Sequence, residues 1–155
     1  MGGACAVIYS EGEYLSEDAD FMLQSSTTQE ALDSVLAELG FRREVDHYKH
    51  SVSEFFVEFP RGPLSIGLDA GIVPVKLRVG RKELLALSAT DSCRDRLAAY
   101  YHWNDRQSLE TAVSIALNQE VDLGKIRAWS RDEGMDEKFD RFSRELTARR
   151  RRPKL

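Results

Sequence analysis

The spacing of apolar residues changes near residue 89. Before that point they come in short alternating or continuous runs; beyond it they recur every three or four positions. Ala19, Phe21 and Leu23 alternate with Asp18, Asp20 and Met22, which predicts a strand over 18–23. Residues 27–39 predict a helix. Ala31, Leu32, Val35, Leu36 and Leu39 form one apolar face, Thr27 with Glu30 makes a capping box, and Gly40 supplies the stop. Residues 41–48 begin a further strand, and 54–60 are rich in strand formers and end at Pro60. Two more strands, 73–79 and 83–87, flank a turn at Gly80. The stretch 4–9 is small and apolar, and over so few residues strand and buried helix are indistinguishable.

Four helices are predicted after residue 89. The first is capped by Thr90 or Ser92 and runs to about Trp103; the second covers 106–118. Asp122 caps the third, which ends before Gly134, and the fourth covers 136–148. Strands first and helices last make an α+β class. The division expected is an α/β core over 1–89, a helical region over 90–148 and a basic tail over 149–155. Leu97, Tyr101, Val113, Leu117, Ile126 and Trp129 give the helices apolar faces that need the sheet as a partner.

Composition narrows the class. In 155 residues, 42% hydrophobic and 31% charged, there is enough core for folding without disulfides or a structural metal. A net charge of -4 argues against nucleic-acid binding by the whole surface and leaves room for a local basic patch. Cys5 and Cys93 lie far apart, outside any CxxC pair, and read as buried thiols in a reducing cytoplasm. No apolar run approaches the roughly 20 residues of a membrane helix. His47, His50 and His102 are too scattered for a metal site and read as solvent-exposed at 47 and 50.

Asp18 and Asp20 are the chemically unusual pair. Residues two apart on a strand share a face, about 7 Å apart. Aspartate is a poor strand former, and two carboxylates so placed repel unless a cation stands between them. A hard divalent ion, Mg²⁺ above all, accounts for them; a strand end with one face in water is the plain alternative. Asp95, Arg96, Asp105 and Arg106 cluster around a helix turn. They serve either as a structural ion-pair network or, through an arginine, as a triphosphate contact.

Gly2-Gly3, a small-residue stretch, Ser16-x-Asp18-x-Asp20 and an acidic residue on a later strand, Glu58, together resemble the nucleotidyltransferase superfamily. The block from Leu87 to Glu133, with Asp95-Arg96-Leu97-Ala98-Ala99-Tyr100-Tyr101-His102-Trp103-Asn104-Asp105-Arg106, resembles small bacterial members related to AbiEii-type abortive-infection toxins. The resemblance implies a mixed sheet with flanking helices and a helical region packed on it. It also implies a usual first strand before the glycine pair, which this sequence lacks. By the same resemblance Asp18, Asp20 and Glu58 hold two Mg²⁺ ions and do the catalysis. Gly2, Gly3 and Ser16, with Arg96 and Arg106, bind the nucleoside triphosphate. Glu58 stands where the family more usually has aspartate.

The implied activity is transfer of a nucleoside monophosphate from an NTP to an acceptor hydroxyl, a tRNA end or a protein side chain, by a toxin of a toxin–antitoxin pair. The alternative is a catalytically inactive module of the same fold that binds a partner such as a cognate antitoxin. Neither reading involves a membrane.

Overall fold

The computed structural model describes residues 2–23 and 26–151. Met1, residues 24 and 25, and residues 152–155 of the basic tail lie outside the described residues. The described chain is a mixed α+β structure with six helices, a four-stranded mixed sheet and a two-stranded antiparallel ribbon.

The chain enters as a helix, α1 (Gly2–Tyr9), which resolves the ambiguity over 4–9. Cys5, Ala6 and Tyr9 are buried, as an apolar helix requires. β1 (Asp18–Asp20) is shorter than the alternation predicts. The chain leaves the ladder after Asp20, although the Phe21 amide still donates to the Glu58 carbonyl at 2.9 Å. α2 (Gln29–Glu38) is capped by Thr28, whose side chain accepts from the Ala31 amide at 3.2 Å; Thr27 is not the cap. Adjacent threonines are equivalent as cap formers, so packing decides the start. The apolar face is also narrower than predicted. Leu32 and Leu36 are buried, but Val35 and Leu39 face solvent.

The run 41–48, read as the beginning of one strand, is a hairpin: β2 (Phe41–Glu44) and β3 (His47–His50) pair antiparallel around Val45 and Asp46. Val45 sits at φ +49°, where a β-branched residue is rare, so the turn carries none of the glycine or asparagine that marks one. β4 (Phe56–Glu58) completes the sheet in the order β1-β4-β3-β2, with β1 and β4 parallel. One face is closed by α2 through Leu32 and Leu36 against Tyr48, Val57 and Phe59. The second sheet is a ribbon of β5 (Val75–Val79) and β6 (Lys82–Ala86).

The helical region is α3 (Ala89–Trp103), α4 (Arg106–Asn118), α5 (Leu123–Asp132) and α6 (Asp136–Arg150). Ser88 caps α3, accepting from the Asp91 amide at 3.0 Å, so Thr90 and Ser92 fall inside the helix. Leu97, Leu109, Val113, Ile126 and Phe142 are fully buried in one cluster. Cys5, Ala6 and Tyr9 of α1 belong to that cluster, and the Tyr9 hydroxyl donates to the Leu87 carbonyl at 2.7 Å. α1 also packs against β1, so it joins the helical region to the four-stranded sheet. Cys5 and Cys93 are buried free thiols, and burial pushes the Cys93 thiol well up from its ordinary range. Among the described residues no helix is long and apolar enough to cross a membrane.

Candidate active site

The candidate residues meet where the start of α1 touches β1. Gly2 and Gly3 are both buried. A β-carbon on Gly2 would run into the Asp20 carboxylate; one on Gly3 would run into the Ser16 hydroxyl and lie 3.2 Å from Asp18 Oδ1. Gly2 also sits at φ +58°, the left-handed region that favours glycine. Both glycines are therefore needed for the backbone to approach the carboxylates this closely. The Ser16 hydroxyl donates to Asp18 Oδ1.

Pairing then fixes the third acid. In the parallel register Asp18 faces Phe56, Ala19 faces Val57 and Asp20 faces Glu58. Asp18, Asp20 and Glu58 therefore project from one face of the sheet, all half-buried. The Asp20 carboxyl is raised above its ordinary value, first by burial and then by the charges of Asp18, Glu58 and Asp95. The aspartates, Glu58 and an acid from α3 thus share one field. Among the described residues no group of three or more His, Cys, Asp or Glu side chains converges into a metal cage. Mg²⁺ rarely has such a cage; it takes one or two carboxylates and completes its shell with water and phosphate oxygens. Asp18 and Asp20, aligned on one face and flanked by glycine backbone, fit that donor set.

Of the two arginines, one is drawn inward. Arg96 is largely buried and bonds Asp95 Oδ2 at 2.7 Å. Burial would lower its pKa, but Asp95, with Tyr14 and Asp105 nearby, holds it above the usual value. Arg106 is exposed and its ion-pair partner is Glu110 at 3.9 Å. Asp105 caps α4 by accepting from the Gln107 amide at 3.0 Å. Of the charged set, Asp95 acts on Asp20, Arg96 is held by Asp95 with Asp105 nearby, and Asp105 also caps α4.

Other features were not legible in the sequence. His47, read as solvent-exposed, is half-buried; it stands directly opposite Glu58, with its ring against Phe56 at 5.5 Å between centroids. His50 is half-buried against Phe41. Glu58 also lines a cleft of about 440 Å³ with Gln29, Arg43, Tyr48, Phe59 and Arg61. Away from the site, Arg94 is 1% exposed, bonds Asp91 at 2.8 Å and Asp69 at 2.5 Å, and lies over the Trp129 ring. The Asp91–Arg94 spacing of one helical turn was the available signal.

Compared with known proteins, the chain matches no protein-family model, no curated protein and no solved structure.

Proposed function

We propose that the chain has a nucleotidyltransferase fold and transfers a nucleoside monophosphate from an NTP to an acceptor hydroxyl, with pyrophosphate as the leaving group. One observation carries this reading: a buried glycine pair at the start of α1 abuts Asp18 and Asp20, and Glu58 pairs with Asp20 from the next strand. At the start of α1, Gly2 and Gly3 would let backbone amides approach phosphate oxygens. Asp18 and Asp20 would hold Mg²⁺, which when bound neutralises triphosphate charge and lowers the pKa of an acceptor hydroxyl. Glu58, on the same sheet face as the aspartates, would orient an acceptor hydroxyl and take its proton. Arg96, held by Asp95, whose charge acts on Asp20, would add positive charge for the triphosphate. The acceptor is a tRNA end or a protein side chain, and the compartment is a reducing cytoplasm in which Cys5 and Cys93 stay free.

The rival is a non-catalytic binding module, for instance a partner of a cognate antitoxin. It is favoured by Glu58, which stands where the family more usually has aspartate. Incubating the full chain with Mg²⁺, each α-³²P-labelled NTP and either total tRNA or the protein itself separates the two. The enzyme reading expects label on RNA or protein, lost in Asp18→Asn. Absence of label with all four nucleotides, together with no Mg²⁺-dependent NTP binding, overturns it.

A further inference from the structure

The β5–β6 ribbon stands out in charge and in packing. Within Val75–Ala86 lie Lys76, Arg78, Arg81 and Lys82 against a single acid, Glu83, on a chain whose net charge is -4. Leu77 and Ala86 tie one end of the ribbon to the main core, and the rest of both strands is exposed. Gly80, at φ +62°, opens a two-residue turn with glycine first, a geometry that keeps the two strands twisted together and projects the tip. Lys76 is engaged by Glu83 at 3.4 Å. Arg78, Arg81 and Lys82 have no ion-pair partner among the described residues. They flank the turn: Arg78 faces Glu83 on one side of the ribbon, Lys82 faces Val79 on the other, and Arg81 sits in the bend.

We infer that the tip of this ribbon is a docking arm for the phosphodiester backbone of nucleic acid. Three cations with no ion-pair partner among the described residues, set on both sides and at the bend of a narrow, exposed two-stranded element, complement the phosphates of a strand laid across the tip. The exposed valines and leucines add contact area but no charge selectivity. The inference is independent of nucleotidyl transfer, because it concerns binding alone.

The test is fluorescence anisotropy of the full chain with a labelled 20-nucleotide RNA of mixed sequence, titrated from about 50 to 200 mM salt. Poly-glutamate of matched charge serves as competitor. The triple variant Arg78→Gln, Arg81→Gln, Lys82→Gln is compared with Arg127→Gln, Arg131→Gln, Arg144→Gln on the helices. Circular dichroism and melting temperature verify that both are folded, and single Arg78→Gln and Lys82→Gln variants stand in if the ribbon triple is not. The parent should bind with log K falling against log salt. Three lost phosphate contacts should flatten that slope by about 2, at about 0.7 per contact for a single strand, and weaken binding at least tenfold. The helix triple should change affinity less than twofold. No RNA binding by the parent, equal loss in both triples, or displacement by poly-glutamate as efficient as by unlabelled RNA would overturn the assignment.

Discussion

Asp20 on β1 and Glu58 on β4 occupy opposite positions in a parallel pair, and the Phe21 amide donates to the Glu58 carbonyl at 2.9 Å immediately beyond them. The backbone, more than any side-chain contact, thus sets which later acid joins the aspartates. Glu58→Gln should lower transfer at least 100-fold while leaving Mg²⁺–NTP affinity within about threefold, the expected size of a lost proton acceptor. Single-turnover rates beside calorimetric affinities test this; an equal fall in both would make Glu58 a binding group only.

Asp18→Asn and Asp20→Asn should each abolish Mg²⁺-dependent NTP binding in calorimetry with the fold retained. Because burial and neighbouring acids raise the Asp20 carboxyl, its ionised form disfavours folding. The sign follows: stability is full below the unfolded value and falls as pH rises through the raised folded one. At pH 7 Asp20→Asn should therefore melt slightly higher than the parent. A lower melting point at pH 7 would contradict the repulsion.

Gly3→Ala gives a prediction whose sign is diagnostic. In an exposed helix, alanine for glycine stabilises by about 1 kcal/mol. Here the added methyl meets the Ser16 hydroxyl and crowds Asp18. The variant should lose about 1–3 kcal/mol in urea unfolding, the usual cost of overpacking. NTP binding should weaken with it. Stabilisation would mean that the close approach of α1 to the carboxylates is not maintained.

The Arg94 network predicts acid sensitivity. Hydrogen bonding by Arg94 lowers the Asp69 carboxyl. At Asp91 burial acts in the raising direction, but bonds from Lys125, Ser88 and Arg94 bring it below its usual value. Carboxylates lowered on folding contribute stability that is present above about pH 4 and is lost as pH falls through their folded values. Asp91→Asn should cost about 3 kcal/mol at pH 7, because it removes one partner of the buried Arg94. Its denaturant midpoint should also change less between pH 5 and 3 than the parent's.

The helical region was largely legible because most signals there are local. Asp122 caps α5, Gly134 follows its end, and the apolar faces repeat at helical spacing. The caps Ser88 and Asp105, however, were not read, and the helices bury their faces among themselves and α1, in a cluster separate from that of the four-stranded sheet. The carboxylate face was legible in part, since the spacing of Asp18 and Asp20 on a strand predicts a shared side. Other parts of the site depend on long-range pairing. Nothing local to His47 places it opposite Glu58, and the turn at Val45 uses a residue that ordinarily avoids that backbone region. Arg94 was missed because a buried arginine looks like any surface one until Asp69, twenty-five positions away, closes on it.

Helix α1 has one end at the carboxylates and the rest in the core with Leu97 and Leu109. Loosening of the helices should therefore withdraw Gly2 and Gly3 from Asp20 and Ser16, so that the candidate site and the helical region respond together. Heat should unfold both parts in a single transition. A ligand held at the glycines should slow amide hydrogen exchange in α4, which does not need to touch that ligand to register its presence.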